Sequence, residues 1–432
     1  MRTETERRTK RLIAWSTLRP LSGVRAATVF IAVSLFLAAS LHGLCQMGIL
    51  PVTDPLSATT ATIKRPSVFY ANPGPWGKLR CFYIFLEAPM EMVETFPLPS
   101  SKPRWSFPES ELPKLPDLFK NAGLPEKFVA SLLDPRNCAA EDGLLHLFPS
   151  VADVEAMTPM MRDVIYPQLA KYPANEFYCH PVRILTDTAD EWFQSANLRP
   201  ELIARIRQLS YRKLNCLVFS DLAVMMNHAT SDSEARRIYK ACTRTRSLMV
   251  QMELNDKTKL EPLLDYWTLG IGIRRKDIEP IMQAIINTDG VDRLGLSHVL
   301  PALARKLLYT YPGPEFSRHG ILPDCHWTSL NFFNYEPHEY LLDSRLATNL
   351  VLEKFETVKP PYRYGDILFF MDGGAAFHSC VYLADDMVFT KNGRNALSPW
   401  VIMKIPEVQK IYIYNNTTHI QGYRHKKIIT DS

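Results

Sequence analysis

The spacing of apolar residues divides the chain into stretches with different habits. From Ala26 to Thr53, "AATVFIAVSLFLAASLHGLCQMGILPVT" carries no charge, which predicts a membrane span or the apolar part of an export signal. Residues 51–66, "PVTDPLSATTATIKRP", are small, polar and proline-bearing, as a tether is. Next, "SVFYANPGPWGKLRCFYIFLEAP" places aromatic and β-branched residues around a Pro/Gly turn and predicts strands. Proline dominates from Pro97 to Pro116. Beyond it, "PDLFKNAGLPEKFVASLLDP" predicts two short helices, with Pro125 in a first turn.

Residues 150 to 310 repeat apolar positions at three and four, in "SVADVEAMTPMMRDVIYPQLAKYP", "ELIARIRQLSYRKLN", "FSDLAVMMNHATSDSEARRIYKACTRTRSLMVQMEL" and "LSHVLPALARKLLYTYP". A helical block follows from that period, with Thr158, Ser231 and Ser297 as N-caps. Its charged run "RRIYKACTRTR" is expected on solvated helix faces. From 311 the texture changes. "DCHWTSLNFFN" predicts a short helix and "SRLATNLVLEKFETV" another. "PPYRYGDILFFMDGGAAFHSCVYLADDMVFTKNG" reads as turn, strand, glycine loop, strand, tight turn and strand, and "SPWVIMKIPEVQKIYIYN" supplies a last strand or two.

The expected class is therefore α+β. A leader at 1–25, a transmembrane anchor or signal segment at 26–50 and a linker at 51–66 precede a small loop-rich α+β region at 67–150. A helical domain at 151–310 and a C-terminal α+β domain at 311–432 follow.

Charge sharpens the picture at one end only. The net charge is +5, and residues 1–25 alone hold seven basic residues against Glu4 and Glu6. The remainder is balanced, so no basic domain is available to follow a nucleic-acid backbone. A basic flank before an apolar run sets residues 1–25 in the cytoplasm and the rest beyond the inner membrane. Ala38 and Ser40 offer a small-x-small cleavage site, while the long leader favours an uncleaved anchor; both remain open. Cys45 sits in a poor lipobox.

Eight cysteines stand at 45, 81, 138, 179, 216, 242, 325 and 380, without a C-x-x-C pair or a histidine cluster. No metal or organic cofactor is expected. Some of 81, 138, 179, 216 and 242 can pair in an oxidising compartment, or all can be free and buried.

Candidate chemistry centres on Cys325. With Asp324 as N-cap it falls in the first helical turn, where unpaired N–H groups favour a thiolate and can hold an oxyanion. A base must come from elsewhere, and His378 lies on a predicted strand directly after a glycine loop. A third group should fix its tautomer. If the hairpin loop is Ala384 to Asp386, Asn392 lies opposite His378 and Thr390 opposite Cys380; with a turn of Asp385-Asp386, Lys391 takes that face. Asn392 is the chemically better orienter, since its carbonyl accepts from an imidazole N–H.

The order "DC" at a helix start, then "RYGDILFF", then "HSCVYLADDMVFTKNG" resembles the NlpC family of papain-like cell-wall cysteine peptidases, over about residues 315 to 415. The resemblance implies a papain-like α+β fold, a Cys-His-polar triad and hydrolysis of amide bonds in peptidoglycan stem peptides. Cys325 would be nucleophile and His378 base, with Gly365 and Asp366 in a structural strand-entry motif. The family commonly has a histidine where this chain has Thr390. It usually follows its cysteine with Ser-Gly, where this chain has His326 and Trp327; with Asp324, these would line or shield a substrate cleft. The expected function is an exported cysteine hydrolase acting on a peptide or peptidoglycan substrate. The alternatives are a non-catalytic cell-wall binding or scaffold protein on the same fold, and a transferase that resolves the same thioester differently.

Overall fold

The computed structural model describes residues 67–313 apart from 214 and 270, residues 322–412 and 417–430, and the pair Ala14–Trp15. The predicted membrane or signal segment, Cys45 and the tether lie outside the described residues. Among the described residues no helix is long and apolar enough to cross a membrane.

The chain is mixed α+β. After β1 (Ala14–Trp15), the Pro/Gly turn joins β2 (Phe69–Tyr70) to β3 (Leu79–Leu86). β4 (Trp105–Pro108), the two expected short helices α1 (Leu115–Asn121) and α2 (Glu126–Leu132), β5 (Cys138–Glu141) and β6 (Leu144–Leu147) follow. α3 (Pro159–Leu169) begins at Thr158, whose hydroxyl accepts from the Met161 N–H. α5 (Asp232–Cys242), after α4 (Pro200–Leu209), begins in the same way at Ser231. Ser297 caps nothing: it lies inside a 3-10 turn, and α6 (Ala302–Leu307) starts after Pro301.

The middle of the chain is less helical than its period suggests. β7 (Val182–Ile184), β8 (Tyr211–Lys213) and β9 (Cys216–Phe219) form a sheet of order β7-β9-β8. β10 (Thr245–Glu253) pairs along the whole of β3, from Thr245 opposite Leu86 to Met252 opposite Leu79, with β11 (Arg293–Gly295) on its other side. Leu248, Val250, Met252 and Leu254 are buried at every second position, a strand signal that the preceding helical run masks. Arg236, Arg237 and Lys240 of the charged run keep part-exposed helix positions, while its last two arginines enter this seam. Arg244 is 6% exposed, pairs with Glu87 and lies over the Phe85 ring. Arg246 is paired with Glu407 and covers Tyr83.

The C-terminal third supplies α7 (Cys325–Leu330), α8 (Ser344–Lys354) and β12 (Phe355–Val358). Then come β13 (Ile367–Asp372), β14 (Ala375–Ala384), β15 (Met387–Lys391), β16 (Trp400–Lys404), α9 (Ile405–Tyr412) and β17 (His419–His425). Strand order is β12-β17-β13-β14-β15-β16, with β1 parallel to β14. Leu368, Phe370, Cys380, Tyr382, Val388, Val401 and Met403 face one core, shared with Trp105, Tyr166, Phe193 and Val408. Phe369, Val381, Phe389, Trp400 and Ile402 face the other, shared with Trp327, Leu248, Trp267 and Leu303. Both cores cross residues 150 and 310, so residues 65–432 form one compact unit around this sheet.

One contact seats the segment after α7 on the sheet, and another locks the sheet beside it. Gly365 has φ +88°, and a Cβ there would lie 2.2 Å from Phe333 Cζ, so the ring just after the helix is seated on bare backbone. Asp366, fully buried, accepts from Arg424 Nε at 2.8 Å and Nη2 at 2.7 Å, locking β17 to the entry of β13. Gly365 and Asp366 thus hold structural positions.

Candidate functional site

α7 is six residues long and begins at Asp324, whose Oδ1 accepts from the Trp327 N–H at 2.9 Å. The other carboxylate oxygen takes Arg394 Nε at 2.9 Å and Nη2 at 2.8 Å. All six residues of the helix are buried. Trp327 is core: it lies 6.5 Å from the Trp400 ring, and Trp400 Nε1 donates to Thr328 at 2.9 Å.

The helix rests on β14 through Ser379. The Ser379 hydroxyl bonds the Cys325 carbonyl at 3.1 Å and Ser329 Oγ at 3.0 Å, with His326 Nδ1 also 3.0 Å away. Neighbouring residues of a strand face opposite ways, so His378 leaves the far face. There its ring stacks on Tyr412 at 3.8 Å between centroids and meets Phe370 edge-on. A bulge sets this outcome: Phe370 pairs with His378 but Met371 with Ala376, leaving Phe377 as the extra residue.

The hairpin resolves the choice of His378's partner. Its turn is Asp385-Asp386, with Ala384 opposite Met387; a second bulge then brings Tyr382 opposite Val388 and Val381 opposite Phe389. The short turn is therefore combined with the register of the longer loop. The ladder ends at Val381 and Phe389, although both strands run on against their outer neighbours. In the unladdered stretch Thr390 Oγ1 lies 3.2 Å from His378 Nε2 and donates to the Ser379 carbonyl at 3.3 Å. Thr390, not Asn392, holds the imidazole. Asn392 turns its amide N–H to Met403 Sδ.

Within one strand residue the N–H and C=O point to the same side. The Ser379 N–H therefore also faces the opening toward β15. Burial pushes the thiol up to about 12, with Asp324 adding to it, while the N–H groups of Ser379, His326 and Cys325 itself pull the other way. Burial drives His326 down to about 4, and Asp324 only partly offsets this. Burial also holds His378 well below its ordinary value, helped by His326. In this state the site holds a neutral thiol and two neutral imidazoles.

Cys325 and His378 share no hydrogen bond. His378 Nδ1 is buried without a partner among the described residues. The sequence-chosen set is thus partly assembled: Cys325 and His326 meet at Ser379, Asp324 caps their helix, and His378 stands behind the same peptide on Thr390. Ser379 is the site residue that sequence reasoning did not name, and Lys391 was weighed only as an alternative orienter of His378. Lys391 is buried on the helix side of β15, opposite Trp400, and donates to the carbonyls of Gly393 at 2.8 Å and Asn395 at 2.9 Å. Strand alternation was the available signal for both. Cys380 faces the His378 side as core filler.

The seven cysteines from Cys81 to Cys380 are free. Among the described residues no group of three or more His, Cys, Asp or Glu side chains is arranged to hold a metal ion. Comparison of the chain with family models, with curated proteins and with solved structures finds no match.

Proposed function

We propose that the chain is an exported cysteine hydrolase with a papain-like C-terminal region, cleaving an amide bond, with peptidoglycan stem peptides as the substrate class. The single observation that carries this reading is the surroundings of the Ser379 peptide. The helix that begins with the Cys325 thiol is bonded to Ser379 on one side, and an imidazole with a bonded Nε2 and an unbonded Nδ1 stands on the other. A buried polar atom without a partner calls for an explanation, and a base awaiting a proton is one.

In the proposed reaction the Cys325 sulfur attacks the carbonyl carbon. Once the imidazole is brought round to the thiol, with which it shares no hydrogen bond in this state, the thiol proton passes to His378 Nδ1 and then to the leaving amine as the C–N bond breaks. Water resolves the thioester, returning the proton to sulfur and releasing the acid. Thr390 accepts from Nε2–H and keeps Nδ1 as the basic nitrogen. The Ser379 and His326 N–H groups are the donors for the oxyanion. His326 and Trp327, as core residues, shape the floor of the site. The basic leader and the apolar run support a reaction at the cell envelope, anchored or secreted.

The burial of both groups, with Cys325 5% exposed and His378 fully covered, favours a second reading, a binding or scaffold protein that keeps a sealed thiol. Digestion of purified peptidoglycan by the full chain and by Cys325→Ala, read by mass spectrometry of released peptides, separates the two. New termini produced by wild type and absent with the variant support hydrolysis. Binding without cleavage by either form supports the scaffold.

A further inference from the structure

We propose that Tyr412 is the gate on His378, a positioning role that rests on the reading of His378 as the base. The two rings lie flat on one another, 3.8 Å apart at their centroids and 11° from parallel. Phe370 closes a second side edge-on at 5.5 Å, and Thr390 Oγ1 stands 3.2 Å from Nε2. Nδ1 is the atom left over, buried without a partner among the described residues. Packed in this way, His378 is fully covered.

These three neighbours differ in what it takes to move them. Phe370 lies mid-sheet, laddered to His378 on one side and to Ile420 on the other, and is fully buried. Thr390 is fully buried too and is paired with Val401. Tyr412 belongs to no strand: it is the last residue of α9 and is half-buried. The fixed end of that helix is the other one, where the Ile405 N–H donates to the Asp386 carbonyl at 2.7 Å and Glu407 accepts from the Lys404 N–H at 3.0 Å. Helix ends open more readily than laddered strands. Tyr412 is thus the neighbour that leaves without breaking the sheet. Its departure bares one face of the imidazole and lets the ring pivot on its Thr390 bond toward the thiol. The flat stack withholds the base until then.

The test uses the full chain and diethyl pyrocarbonate. An unprotonated imidazole nitrogen attacks one of its carbonyls, an N–C bond forms, the anhydride C–O bond breaks, and ethyl carbonate leaves with the ring proton as ethanol and carbon dioxide. The rate at His378 is followed by peptide mass spectrometry at neutral pH in wild type, Tyr412→Ala and Tyr412→Phe. A closed gate leaves about 10% or less of the molecules open, so Tyr412→Ala should be labelled at least about tenfold faster than wild type. Tyr412→Phe keeps the flat ring and should match wild type. His326, buried on the helix side of the sheet, serves as the internal reference and should stay slow in all three. Equal His378 rates in wild type and Tyr412→Ala overturn the proposal. A rise in Tyr412→Phe as large as in Tyr412→Ala, or a parallel rise at His326, reports general loosening and overturns it too. If Tyr412→Ala does not fold, Tyr412→Leu, apolar but without a flat ring, is held to the same criteria. No substrate enters this measurement. Absence of peptidoglycan cleavage with the labelling pattern intact faults the hydrolase reading and leaves the gate standing; cleavage with a His378 rate indifferent to Tyr412 does the reverse.

Discussion

Thr390 Oγ1 lies 3.2 Å from His378 Nε2, both side chains fully buried, while Asn392 two residues on points to Met403. The hydroxyl donates to the Ser379 carbonyl and is left to accept from the imidazole. Thr390→Val removes that acceptor at nearly constant volume. The expected result is a loss of about 1–3 kcal/mol of stability from the stranded ring N–H, together with a fall in any hydrolytic kcat. Asn392→Ala should leave kcat close to wild type. Equal kcat in Thr390→Val and wild type would remove Thr390 from the mechanism.

Acid should unfold the protein through its buried histidines. A histidine whose folded pKa is depressed takes up its proton more readily in the unfolded chain, so the stability is present above the unfolded value of 6.5 and is lost as pH falls below it. For His326 the window runs from 6.5 down to about 4, corresponding to about 3 kcal/mol. Urea titrations at a series of pH values should show this slope, and His326→Gln should flatten it.

Gly365→Ala should be destabilising by at least about 2 kcal/mol, from the left-handed backbone and the collision with Phe333. Adding Phe333→Ala relieves only the collision, so the double variant should be more stable than the sum of the single losses predicts. Denaturant midpoints of the four proteins measure both parts.

The Asp366–Arg424 pair should behave as a buried ion pair cut on one side. Asp366→Ala strands the Arg424 guanidinium, which is 12% exposed, and should cost about 3–5 kcal/mol. Arg424→Met with Asp366→Asn should recover part of this. Thermal melts of the two variants provide the comparison.

What could be read along the chain was local. The caps at Thr158, Ser231 and Asp324, the two helices around Gly123, the strand entered at Asp366 and the tight turn at Asp385 each depend on residues within a few positions. Capping and alternation are near-neighbour effects. β10 was hidden because its partner β3 lies more than 150 residues upstream, and its short alternation adjoined a strong helical period.

The candidate site divides along the same line. The sequence by itself determined that an Asp-capped helix would begin with Cys325 and that His378 would sit in a strand beside Thr390 and Lys391. Tertiary structure decided which of these meet. One extra residue at Phe377 reverses the facing of a strand, and a second bulge sets the hairpin register. As a result Ser379 faces the helix, His378 faces Tyr412, Thr390 takes the imidazole and Lys391 turns to the Gly393 and Asn395 carbonyls. Burial is likewise a property of the packed whole: only the two cores closing on either side of the sheet make the thiol and both imidazoles neutral.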